Sequence, residues 1–351
     1  MNAPVVNVHA PQSCATCSRT DCHLSFVSRH IEPVTAQTAF VMDEIWPEYY
    51  AFLAEHRKDG DQVLAPGLLG ARPVRYGWEG GGHPAGWATF SRHMTMRRVV
   101  RARGAVRQAA YLKEDEHLAL ALSRHLDYRA QHLVVYQNFL PFLWREGVLG
   151  GRSFDVLMTR YPLRDLHAKL DAFHVQHRDS LTIADFRAPE AVVAAEAEGL
   201  AVARRIVTPH HDIAESFGER AVWLDWQRPG PMATQKGDRV AFLGPALTRQ
   251  GVHEVRDLAH GLAKPLIVFG EMLESVDIWG DLLVEHRAKG ADWLNGITAI
   301  LHPAAITNQP RALLQAIANG VTVYAHPSCG LAPDQFLPLS AFRGGSHIEF
   351  L

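Results

Sequence analysis

Short β-branched runs alternate with longer stretches of helical spacing through most of this chain. The clearest case is 297–330, ITAILHPAAITNQPRALLQAIANGVTVYAHPSCG. Residues 298–301 form an apolar run and 302–309 a polar loop. Pro310 suits a first helical position, where its missing N–H would be unpaired anyway. Leu313, Ala316 and Ile317 are spaced for one buried helix face. Gly320 then fits a left-handed cap, and 321–324 reads as a buried parallel strand. Upstream, 239–243 and 265–269 read as strands, and 248–262 (Val252, Val255, Leu258, Leu262) and 276–287 as helices. In the first half, 38–58 has a helical period through Phe40, Ile45, Tyr49, Phe52 and Leu53. Further helices are expected at 115–126, 163–173 and 190–200, strands at 133–136, 154–159, 181–184 and 206–208, and a strand and loop at 63–69, while 221–224 leads toward the linker. Such alternation calls for parallel sheets covered by helices on both faces. Ligands bind such sheets beyond the carboxyl ends of their strands, where Gly244, Gly270 and His302 would gather.

The Pro-, Gly- and polar-rich stretch 227–238, QRPGPMATQKGD, marks a domain boundary. The expected organisation is a cysteine-rich segment over 1–30, one Rossmann-like domain over 31–230 and a second over 231–351. With 351 residues, each domain can bury its own core, and a hydrophobic content of 47% argues for a folded chain. A net charge of −2 gives no global basic field for nucleic acid or acidic membrane. No apolar run approaches the ~20 residues of a membrane span. No basic-then-apolar leader opens the chain, so a cytoplasmic location is the expectation.

Candidate chemistry falls in three places. Cys14, Cys17 and Cys22 lie in CATCSRTDCH, where C-x2-C points two thiolates at one ion and a third can close on it. The fourth ligand is either Cys329 or His23, and zinc and an iron–sulfur cluster are both open. Residues 72–93 are rich in glycine and aromatics, with His83 and His93 among them. This reads either as a loop closing on a ligand or as a surface loop. Arg97, Arg98, Arg101, Arg103 and Arg107 could grip an anion, but a solvated helix face is the plainer reading. Finally, the loop before Pro310 points at a helix N-terminus, where free N–H groups and the helix dipole attract phosphate.

The last stretch resembles the donor-binding segment of retaining GT-B glycosyltransferases, which use nucleotide-sugars. Pro310, Leu313, Leu314, Ala316, Ala318, Gly320 and Val321 keep that family's frame, while Thr307 and Gln315 stand where it has two glutamates. Gly244 and Gly251 match its first phosphate turn, with Pro245 and Gln250 in place of an arginine and a lysine, and Arg249 beside the lysine position. Glu196 or Glu198 would sit on the family's glutamate-bearing helix. The resemblance implies two Rossmann-like domains facing each other across a cleft. It also implies transfer of a sugar from a nucleoside diphosphate sugar to an acceptor, with retention at the anomeric carbon. Donor-binding residues would be Gly244, Arg249, Thr307, Asn308, Gln309, Arg311 and Gln315. The alternative is a scaffold that no longer transfers sugar and binds a metal or iron–sulfur centre through Cys14, Cys17, Cys22 and Cys329, with a ligand-binding or redox role.

Overall fold

The computed structural model describes residues 37–43, 46–67, 83–102, 104–180, 182–185, 187–275 and 277–343. They build two α/β domains, each around a parallel sheet. The first sheet contains β1 (Gln37–Val41), β2 (Gln62–Ala65), β3 (His83–Pro84), β4 (Ala130–Tyr136), β5 (Ser153–Leu157), β6 (Arg205–Thr208) and β7 (Ala221–Trp223). Its spatial order is β3-β2-β1-β4-β5-β6-β7. The second contains β8 (Arg239–Leu243), β9 (Leu266–Phe269), β10 (Val284–Arg287), β11 (Ile297–His302), β12 (Thr322–Ala325) and β13 (Leu337–Pro338), in the order β10-β9-β8-β11-β12-β13. Both orders reverse direction once, between β1 and β4 and between β8 and β11. Such a switch point opens a crevice at the carboxyl ends of the strands. The architecture is therefore the two-domain, cleft-facing arrangement of the GT-B type.

Helices cover the sheets: α1 (Pro47–His56), α2 (Gly86–Val99), α3 (Gly104–Ser123), α4 (Leu140–Arg145), α5 (Leu163–Gln176), α6 (Glu190–Val202), α7 (His211–Phe217), α8 (Val252–Ala259) and α9 (Arg311–Ala318). Among the described residues no helix is long and apolar enough to cross a membrane. In β8, Val240 and Phe242 join one apolar cluster with Val252, Val255 and Trp279, while Ala241 and Leu243 face another with Leu313 and Ile300. This two-residue alternation, buried on both faces, is what a central parallel strand requires. The cluster under Leu313 continues into the first domain through Trp226 and Trp46, whose rings lie 5.7 Å apart.

Several local expectations change. The stretch 38–58 is not one helix, because its first part is β1, which pairs with both β2 and β4. Ala39 to Met42 are all buried, so a centre-of-sheet position overrides the helical spacing that Phe40 shares with Tyr49. Residues 277–283 are turns and loop and 284–287 are β10, held by parallel pairing to β9, where a helix was expected over 276–287. Residues 182–185 form a turn and bend rather than a strand. Arg97, Arg98 and Arg101 are exposed at the end of α2 and just beyond it, a solvated face.

Candidate functional site

The two domains meet along the carboxyl ends of their strands, and a cavity of about 420 Å³ lies between them. One wall is α5, whose Lys169, Ala172, Phe173 and Gln176 form a stripe at helical spacing. The facing wall comes from Asp212 in the first turn of α7, Glu254 in the first turn of α8, Ala305 after β11, and 326–328 after β12. The second domain's switch point thus opens directly into it.

Charge around the cavity is mixed. Lys169 stands 3.9 Å from the Asp212 carboxylate and 4.5 Å above the Tyr161 ring. The Tyr161 hydroxyl donates a hydrogen bond to the same carboxylate. His326, on the rim of the cavity, has its pKa lowered by desolvation first and by Lys169 second. Burial pushes the Glu254 carboxyl up to about 7, with Asp257 adding in the same direction. Gly251 precedes α8 in the left-handed region, φ +75°, and a Cβ there would stand 2.5 Å from the Pro303 ring and 2.6 Å from Glu254 Oε2. Only glycine meets both demands.

Behind the cavity two histidines hold the loop after β11. His210 Nδ1 accepts from the Ile213 N–H, so Nε2 carries the proton and donates to the Thr307 carbonyl at 3.1 Å. His302 Nε2 lies 2.7 Å from Thr307 Oγ1. Burial lowers both imidazoles to about 4, so both are neutral at physiological pH. Glu196 is buried on α6, receiving Arg160 at 2.8 Å, and Gln137 ties the same loop after β5 through the Thr159 and Arg160 N–H groups. Glu198 instead accepts from the Trp144 indole at 2.8 Å.

The residues expected to hold a donor sit as follows. Gly244 follows β8 directly, and a Cβ there would meet the Phe269 carbonyl at 2.0 Å, so its role is close backbone packing. Arg249 lies in the 3₁₀ turn Thr248–Gln250. Burial lowers its pKa to about 10, Arg107 adds to this, and Asp185 opposes it. The Thr307 hydroxyl is engaged by His302. Asn308 and Gln309 are exposed. Arg311 forms a two-pronged ion pair with Glu48 of α1, at 2.7 and 2.6 Å, and lies 5.1 Å over the Trp226 ring. Gln315 donates to the Gly230 carbonyl at 3.0 Å, on the segment joining the two sheets. None of these expected residues lines the cavity, and its titratable groups Lys169, Asp212, Glu254 and His326 are ones that sequence reading missed. Glu254 carried a faint signal, as an acidic residue in a helix's first turn three positions after a glycine.

Cys14, Cys17, Cys22 and His23 lie outside the described residues, as do 72–82 of the glycine-rich stretch. Cys329 is fully buried, and burial raises its thiol pKa to about 12. Among the described residues there is no group of three or more His, Cys, Asp or Glu placed to hold a metal ion.

Fold and site together define a two-domain α/β protein with a polar cleft between the domains. No protein-family model matches the sequence, and no curated protein matches it. Solved structures similar to it include CalG4, the calicheamicin glycosyltransferase, at 15% identity over 87% of each chain with a TM-score of 0.38. Medicago truncatula UGT71G1 complexed with UDP-glucose is similar at 12% identity, over 83% of this chain and 80% of that one, with a TM-score of 0.41. Arabidopsis thaliana UGT89C1 complexed with UDP-L-rhamnose is similar at 10% identity, over 84% and 80%, with a TM-score of 0.36.

Proposed function

We propose that this chain is a GT-B-type, glycosyltransferase-like protein that takes a nucleoside diphosphate sugar into the cleft between its domains. The observation that carries this reading is the cavity of about 420 Å³ at the second domain's switch point, closed over by α5 of the first. Its size falls in the range of about 300–1,000 Å³ usual for small-molecule sites. Lys169, on the wall of this cavity, supplies the cation for phosphate. In a transfer reaction the acceptor hydroxyl attacks the anomeric carbon and the diphosphate leaves with the bonding pair. Lys169 would stabilise the charge developing on it. The test is thermal unfolding with the diphosphates of uridine, guanosine, adenosine and thymidine and the glucose ester of each. Stabilisation by about 2–3 kcal/mol at a hundredfold excess over Kd is expected for a true ligand. No shift with any of them overturns the reading.

A second reading has its own support. Arg311, Gln315 and the Thr307 hydroxyl are all engaged in contacts that hold the fold. A scaffold that binds the nucleotide-sugar without transferring it would use them so. Release of nucleoside diphosphate from a bound sugar ester separates the two, since turnover requires it and binding alone does not.

A further inference from the structure

A second cavity, of about 380 Å³, opens beyond the carboxyl end of α5, and Gln176 lines both cavities. On its wall the two domains touch through a pair of histidines. His177 caps the carboxyl end of α5 in the first domain, and His253 lies in the first turn of α8 in the second. Their rings are 4.0 Å apart and 10° from parallel. The Phe173 ring flanks His177 at 6.5 Å, and Thr248 Oγ1 lies 3.3 Å from His253 Nε2. Beside the rings, Glu274 of the second domain accepts from the Ser180 hydroxyl of the first at 2.9 Å and from the Thr182 hydroxyl. We infer that the His177–His253 stack is a proton-sensitive latch, which holds the two domains together at neutral pH and lets them part when both rings are charged.

Neutral rings stack, and a charged ring stacks on a neutral one at least as well. Two imidazolium rings at this separation repel. Separated rings bind the second proton near the ordinary histidine value of about 6.5, while the stacked pair binds it only at lower pH. Closure is therefore favoured above about pH 6.5 and weakens as pH falls below it. Both residues are partly exposed, so solvent protons reach them. The surrounding charges leave this repulsion in place. Arg178 and Asp179 follow His177 as exposed neighbours of opposite sign. On α8, Asp257 is paired with Arg256 at 2.9 Å, and Glu274 also accepts from the Thr248 N–H at 3.0 Å. Burial, then His177 and Arg256, lower the His253 pKa against the opposing pull of Glu274 and Asp257.

Small-angle scattering of the ligand-free full chain at pH 7.5 and 5.0, beside the same measurement on His253→Phe, tests this. Phenylalanine keeps a flat ring for stacking and takes no proton. The parent's radius of gyration is expected to rise at pH 5.0, and the variant's to stay at its pH 7.5 value. His210, His302 and Glu254 titrate alike in both chains, so the difference between them reports the stack. Imidazole NMR of the parent should show the pair titrating in two steps about one pH unit or more apart, a tenfold difference in proton affinity. His177 in the variant should titrate in one step. His177→Phe gives the same contrast if His253→Phe fails to fold. Equal expansion of parent and variant, or expansion of neither, overturns the latch. Opening of both variants at pH 7.5 also overturns it, since the ring nitrogens rather than the stack would then hold the contact. The nucleotide-sugar reading stands or falls separately, because no ligand takes part.

Discussion

Arg311 of the second domain closes a bidentate ion pair on Glu48 of the first, 263 positions earlier in the chain, at 2.7 and 2.6 Å. The Glu48 side chain is fully buried and also accepts from the Gln227 N–H at 2.7 Å. Sequence resemblance implied that Arg311 grips a diphosphate; its partner in the structure is a carboxylate. Arg311→Met would strand a buried charge, at about 3 kcal/mol. The expected result is a large fall in the urea midpoint, partly recovered by adding Glu48→Gln. Nucleotide affinity of the variant below its melting temperature should change little. A loss of nucleotide binding with unchanged stability would instead make Arg311 a ligand residue.

His210 and His302 supply a pH prediction. Each is held near 4 in the fold by burial, against about 6.5 in the unfolded chain. Between those values the unfolded state binds the extra proton, so each histidine stabilises the fold above about pH 6.5 and loses that contribution as pH falls toward 4. The slope is about 1.4 kcal/mol per pH unit for each. Asp115, raised to about 7 chiefly by burial, tilts the profile the other way. The comparison must therefore be between parent and variant. His302→Gln should lose less stability than the parent on going from pH 6.5 to 5, measured by urea unfolding at each pH. Parallel profiles would show that His302 does not titrate in this window.

Gly251 and Gly147 separate backbone strain from crowding. Both have positive φ, +75° and +69°, but an added Cβ at Gly147 meets nothing within 4 Å. Gly147→Ala should cost about 1 kcal/mol from the backbone alone. Gly251→Ala adds the collision with Pro303 and Glu254, so its melting temperature should fall further, with loss of cavity binding. Equal shifts would mean that the loop after β11 yields easily.

Cys329 should resist alkylation. Its thiol is fully buried and raised to about 12, so almost no thiolate is present at neutral pH. Iodoacetamide followed by peptide mapping should leave Cys329 unlabelled in the native protein and label it in urea. Rapid native labelling would show that the segment around 327–330 opens readily.

Much of the second domain was legible in its sequence. From 297 to 325 the strand, loop, helix and strand fall where spacing put them, and Gly320 has the left-handed φ of +74° expected of a cap. These are signals carried within a few residues, by side chains three and four apart or two apart. The failures lie where a sheet decides. Residues 37–41 share spacing with α1 but are fixed as β1 by two neighbouring strands, and 284–287 become β10 by pairing with β9.

The candidate site divides along the same line. By itself the sequence determined two parallel-sheet units and the loop-to-helix turn at Pro310, because local periodicity and proline chemistry act over a turn or less. Tertiary structure alone decided which side chains remain for a ligand. Arg311 meets Glu48, Thr307 meets His302 and Gln315 meets Gly230, while Glu254 and Lys169 line the cavity. A charged or polar group has the same local pattern whether its partner is protein or ligand, and only the packing of distant segments says which one it meets.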